Sequence, residues 1–172
     1  RGYFKGILVR FILCVLFVLS FIVYSQDILL HLRNNDIILL AKQQYGNQGH
    51  ARIKSWLNFI DESANKNEWK KIHLVNNFFN EKIKYRSDQA LWQQTDYWAT
   101  PLESLGTGMG DCEDYVIAKY FTLLALDVPE DKIRLMYVRH KGLNQPHMVL
   151  IYIEQPNKSP YVLGNFNKKL LP

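Results

Sequence analysis

A chain of 172 residues is long enough for one domain with a real core and too short for two. Its 48% apolar and 22% charged residues are those of an ordinary globular protein, which excludes the disordered and collagen-like classes. Arg1, Lys5 and Arg10 supply three of the +5 formal charges, leaving 18 Lys and Arg against 16 Asp and Glu, a near-neutral body without the footprint of a nucleic-acid binder.

Those three basic residues lead into residues 11–24, an almost wholly apolar run that ends in Val23-Tyr24-Ser25. Positive charge, a short apolar stretch and a small residue at its exit describe a secretory signal peptide. The run is about 14 residues, short of the ~20 that span a bilayer, so an uncleaved membrane anchor is the alternative. Residues 1–25 are thus expected to be a signal peptide or an N-terminal membrane segment, and 26–172 the working domain.

Residues 25–45 have helical spacing, with Ile28, Leu29 and Leu32 and then Ile37, Ile38, Leu39 and Leu40. Gly46-Asn47-Gln48-Gly49 breaks this pattern, and a second helix runs from Ala51 through Leu57 and Ile60. A third covers 68–83, where Ile72, Val75, Phe78 and Phe79 recur at spacings of three and four. Residues 84–110 are polar, aromatic and glycine-rich, and their aromatic content points to an ordered loop rather than a linker.

The clearest helix spans 111–126. Asp111, Glu113 and Asp114 complement the dipole at its start, and Val116, Ile117, Tyr120, Phe121 and Leu124 form its apolar stripe. The period then changes, and 133–139, 147–153 and 161–163 alternate as strands, with a hairpin turn at 157–160. Helices first and an antiparallel sheet last make an α+β fold.

If the leader is removed, Cys112 is the sole cysteine, so no intrachain disulfide is possible and the thiol invites a chemical reading. At the start of a helix, unpaired N–H groups and the dipole favour a thiolate. A buried core cysteine is the other reading, although three acids do not normally bracket one. Such acids oppose thiol ionisation, so a cation must offset them. His147, opening a strand, is the natural base. Asp111, Glu113 and Asp114 together offer hard carboxylate oxygens that suit calcium rather than zinc, although acids in a first turn also serve simply as caps.

The runs Trp98-Ala-Thr-Pro-Leu-Glu103, Gly106-Thr-Gly-Met-Gly-Asp-Cys-Glu-Asp-Tyr115 and Asn144-Gln-Pro-His-Met-Val-Leu150 resemble the bacterial transglutaminase-like cysteine peptidases, and within them the LapG-type periplasmic adhesin-processing proteases. The likeness extends from about Gln43 to Leu163. It implies a papain-like, transglutaminase-like fold and a calcium-dependent periplasmic protease with a Cys–His–Asp triad. It further implies release of a large surface adhesin by a cut near that adhesin's N-terminus, under an inner-membrane cyclic-di-GMP receptor. The nucleophile carries to Cys112, the base to His147, and the calcium-associated acids to Asp111, Glu113 and Asp114. The triad carboxylate does not carry over: Gly164 stands where the family has Asp in a Val-Leu-Asp-Asn run. Asn165 replaces it only if the strand shifts by one residue, because side chains alternate faces. A non-catalytic member that binds adhesin or receptor is therefore the rival reading, and acyl transfer to an amine a third.

Overall fold

A computed structural model describes residues 35–140, 142, 144–166 and 170. The leader assigned to residues 1–25 lies outside these, and no helix among the described residues is long and apolar enough to cross a membrane. The first helical stretch, α1 (Asn35–Ser63), is two helices joined at Gly46, whose φ of 67° a side-chain-bearing residue rarely adopts. The break expected at Gly46-Asn47-Gln48-Gly49 is thus a kink, and helix resumes at once. Helix α2 (Glu68–Lys82) starts at Asn67, whose side chain accepts from the Lys70 N–H at 2.9 Å, and buries Ile72, Val75, Phe78 and Phe79.

Residues 84–110 hold more regular structure than the loop expected there. Strand β1 (Lys84–Tyr85) pairs in parallel with β2 (Met109–Gly110), and between them lie α3 (Asp88–Leu91) and α4 (Pro101–Thr107). Helix α4 is set by a capping box: the Thr100 hydroxyl accepts from the Glu103 N–H at 3.3 Å, and Glu103 Oε2 accepts from the Thr100 N–H at 2.8 Å. Pro101 begins it and Gly108, at φ 70°, ends it. Helix α5 (Cys112–Ala125) follows directly, within one residue of the range that the sequence predicts.

A 3₁₀ turn (Glu130–Lys132) leads into an antiparallel sheet of β3 (Ile133–His140), β4 (Gln145–Tyr152) and β5 (Tyr161–Leu163), in that spatial order. Val138 faces His147 across β3 and β4, and Leu150 faces Leu163 across β4 and β5. Met148, Leu150, Tyr152 and Leu163 point into the core with Ile72, Val75, Phe79, Val116 and Leu123. Helix α5 lies between β4 and α2, with α4 beside it and packed on α1. This is the α+β arrangement read from the sequence. Its sandwiched helix has its N-terminus beside the start of β4.

Candidate active site

Cys112 is the first residue of α5, half-buried between the helix and the sheet. Its thiol donates to Glu113 Oε2 at 2.9 Å, and its sulfur accepts the Met148 N–H at 3.4 Å. Burial and the Glu113 carboxylate push the thiol up to about 12, while the Met148 N–H acts the other way. Without a cation, then, the thiol is held protonated. Met148 follows His147, so the same contact brings the histidine's strand to Cys112. His147 is the third residue of β4 rather than its first, because the strand begins two residues earlier than expected. It is 6% exposed, and its ring lies 4.9 Å from that of Phe166.

Five carboxylates, not the three that the sequence marks, crowd the other side of the thiol. Asp111 is raised to about 8, first by burial and then by Glu113, and its Oδ1 is buried without a hydrogen-bond partner. Asp88, 3% exposed, is raised by burial and then by Glu113 and Asp96, against the Tyr97 N–H. Its Oδ2 accepts that N–H at 2.6 Å, and its Oδ1 is also buried without a partner. Ligating atoms of Asp111, Cys112 and Glu113 lie within 4.8 Å of one another; so do those of Asp88, Asp111 and Asp114, and those of Asp88, Asp96 and Glu113.

Asp114 differs from its neighbours. It is fully buried, and its two oxygens accept the Ala99 N–H at 2.8 Å and the Asp111 N–H at 3.1 Å. It pins the approach to Cys112 as much as it faces the cluster. Gly110 makes room for it, since a Cβ there would stand 2.7 Å from the Asp114 carboxylate. Arg52 fixes the other end of this approach, donating to the Leu105 and Gly106 carbonyls at 2.6 Å each. Exposed Tyr85, Trp98 and Tyr137 rim the acids; Trp98 donates to Asp96 Oδ1 at 3.0 Å.

The structure therefore brings Cys112, Asp111, Glu113 and Asp114 together as the sequence predicts, and adds Asp88 and Asp96. Neither of these belongs to a local motif; only the unusual density of polar and aromatic residues in 84–110 marked their neighbourhood. The third triad position stays open. Gly164 follows the end of β5 and its carbonyl faces inward, accepting from Asn80 Nδ2 at 3.1 Å and Lys119 Nζ at 2.9 Å. Asn165, the conditional stand-in, has its Oδ1 buried without a hydrogen-bond partner.

A sequence model of the bacterial transglutaminase-like cysteine proteinases (BTLCP) matches residues 54–172. Among solved structures, LapG of Legionella pneumophila is 39% identical over 79% of this chain and 74% of its own, with a TM-score of 0.69. Its EGTA-treated form gives the same identity and TM-score over 72% of its length. The calcium-bound form is 38% identical over 75% of its length, with a TM-score of 0.68. No curated protein matched the chain.

Proposed function

The chain belongs to the bacterial transglutaminase-like cysteine proteinases, and from that premise we propose that it is a calcium-dependent periplasmic endopeptidase that cuts a large surface adhesin near its N-terminus. We place it under an inner-membrane cyclic-di-GMP receptor, as the LapG-type resemblance implies. One observation carries the catalytic part. The Met148 N–H meets the Cys112 sulfur at 3.4 Å, joining the base-bearing strand to the nucleophile's helix inside a ring of acids.

His147 takes the thiol proton, and the thiolate attacks the peptide carbonyl. Backbone N–H groups at the α5 N-terminus stabilise the developing oxyanion. The sulfur–carbon bond of the acyl-enzyme forms as the amine leaves with the proton from His147, and water then hydrolyses it. Asp111 and Glu113, with Asp88, Asp96 and Asp114 around them, are the residues that would hold calcium. The donor set fits: all are hard oxygens, and two buried carboxylate oxygens, on Asp88 and Asp111, have no other partner. Bound calcium supplies positive charge that keeps these acids ionised and lowers the cost of a thiolate beside them. The calcium-bound and EGTA-treated LapG structures support this reading.

Gly164 favours the second reading, a member that binds adhesin or receptor without cutting. The test is incubation of the purified chain with an adhesin N-terminal fragment, with calcium or with a chelator, beside Cys112→Ala. Calcium-dependent cleavage that the variant loses supports the protease. Retained binding without cleavage sinks it in favour of the second reading.

A further inference from the structure

Among the described residues, Lys119 is the only fully buried lysine, at 0% exposure. Its ammonium donates to three neutral oxygens: Asn80 Oδ1 at 2.7 Å, Asn76 Oδ1 at 2.9 Å and the Gly164 carbonyl at 2.9 Å. That uses all three of its donors. Among the described residues no carboxylate shares the charge, so the arrangement is expensive as a stabilising device, and an apolar side chain of similar length would fill the space at lower cost. Something other than stability must be fixed by it.

What it fixes is the chain beyond β5. The ladder stops at Leu163, and there the Gly164 carbonyl turns inward to take hydrogen bonds from both Lys119 and Asn80. Two residues on, Phe166 lies against the His147 ring. Lys119 is seven residues after Cys112 on the same helix, about two turns, so both project from one face of α5. At its N-terminus α5 touches β4 through Cys112 and Met148; two turns later it grips the segment that walls the histidine.

We propose that Lys119 is a positioning residue, which holds residues 164–166 by the Gly164 carbonyl and so sets the His147 imidazole relative to Cys112 where the triad carboxylate is missing. The proposal rests on the protease reading for its kinetic part alone. Its test uses Lys119→Met, the milder Asn80→Ala, and Phe121→Ala as an exposed control on the same helix. Each is compared with wild type in calcium by cleavage kinetics and by the ¹H–¹³C imidazole signal of His147, assigned by its loss in His147→Gln.

For Lys119→Met, kcat falls roughly 10- to 100-fold while KM stays within about threefold, and the His147 signal moves. Asn80→Ala moves the signal in the same direction by less, and Phe121→Ala leaves it in place. If Lys119→Met does not fold, Asn80→Ala carries the test. A His147 signal at its wild-type position in a folded Lys119→Met or Asn80→Ala overturns the proposal. Should wild type cleave nothing, the protease reading fails, and the imidazole signal still decides the positioning role.

Discussion

Chelating divalent cations leaves Asp111 facing Glu113 and Asp88 with nothing to separate the charges. Its carboxyl then titrates near 8 when folded against 3.8 for the free side chain, first because of burial. Between those values the folded state binds more protons than the unfolded one, so stability is greatest below the unfolded pKa and falls as pH rises toward the folded pKa. From pH 5 to 8 this is three units at about 1.36 kcal/mol each, a ceiling of about 4 kcal/mol. Asp111 is partly open to water and is hydrogen-bonded to Glu113, which roughly halves the figure to about 2 kcal/mol. Calcium removes the penalty by binding the ionised form, so its stabilising effect grows over the same interval. The assay is urea unfolding at pH 5, 6.5 and 8, in calcium and in chelator, for wild type and Asp111→Asn. Groups outside the cluster, Glu68 and Lys119 among them, act alike in both arms and drop out of the difference, whereas Asp114, raised to about 7 first by burial, and Asp88 stay in it. The calcium-minus-chelator difference should widen by about 2 kcal/mol between pH 5 and 8 in wild type and by clearly less in Asp111→Asn, where Asp88 and Asp114 still respond. A wild-type difference independent of pH refutes the reasoning.

Gly164→Asp restores a carboxylate on the strand face that His147 occupies, and among the described residues a Cβ there meets only Val149 Cγ1, at 3.9 Å. We expect kcat/KM to rise at least about tenfold, a fraction of the ~10⁴ that the carboxylate is worth in serine proteases; unchanged kinetics in a folded variant would count against the vacancy. Leu150→Ala, at a 0% exposed position at the middle of the sheet, should cost about 3 kcal/mol in urea unfolding, and a loss under about 1 kcal/mol contradicts the packing described. Glu68 accepts from Lys132 Nζ at 2.8 and 3.0 Å and from the Tyr152 hydroxyl. Burial raises its pKa, but these bonds and the nearby lysines outweigh that and lower it. Its stabilisation is therefore present above the unfolded value of 4.5 and fades as pH falls through the folded one. Glu68→Gln should flatten that acid limb and lose about 1 kcal/mol at pH 7, measured by thermal unfolding across pH 2–7; an acid limb as steep as that of wild type would show that another group governs it.

Much of this fold is legible in the chain because its large elements carry long apolar periods. Ile72, Val75, Phe78 and Phe79 mark α2, the acids and stripe of 111–126 mark α5, and alternation marks the three strands of the antiparallel sheet. Two-residue strands and helices of four and seven residues are too short for periodicity, so 84–110 reads as loop. The capping box of Thr100, Pro101 and Glu103 was nonetheless a local signal for α4, since it needs no tertiary context. The nucleophile and its acids are legible as neighbours in sequence. Asp88 and Asp96 are not, because they reach the cluster only through the β1–β2 pairing. Lys119 reads as one polar residue on an apolar helix, and its three acceptors come from α2 and from beyond β5.

That two-rung parallel pairing ties residue 84 to 109 and residue 85 to 110. The chain between therefore leaves and returns at one point, directly before Cys112. An excursion closed at its base can lengthen with little penalty, since doubling a loop costs only about 0.6 kcal/mol in closure entropy. Changes at its exposed Trp98 would alter what the molecule meets at its surface while the stem keeps Gly110 and Cys112 in place. The fold thereby separates the exposed rim of this stretch, open to change, from its Asp88, Asp96 and Ala99, whose places at the acid cluster must hold.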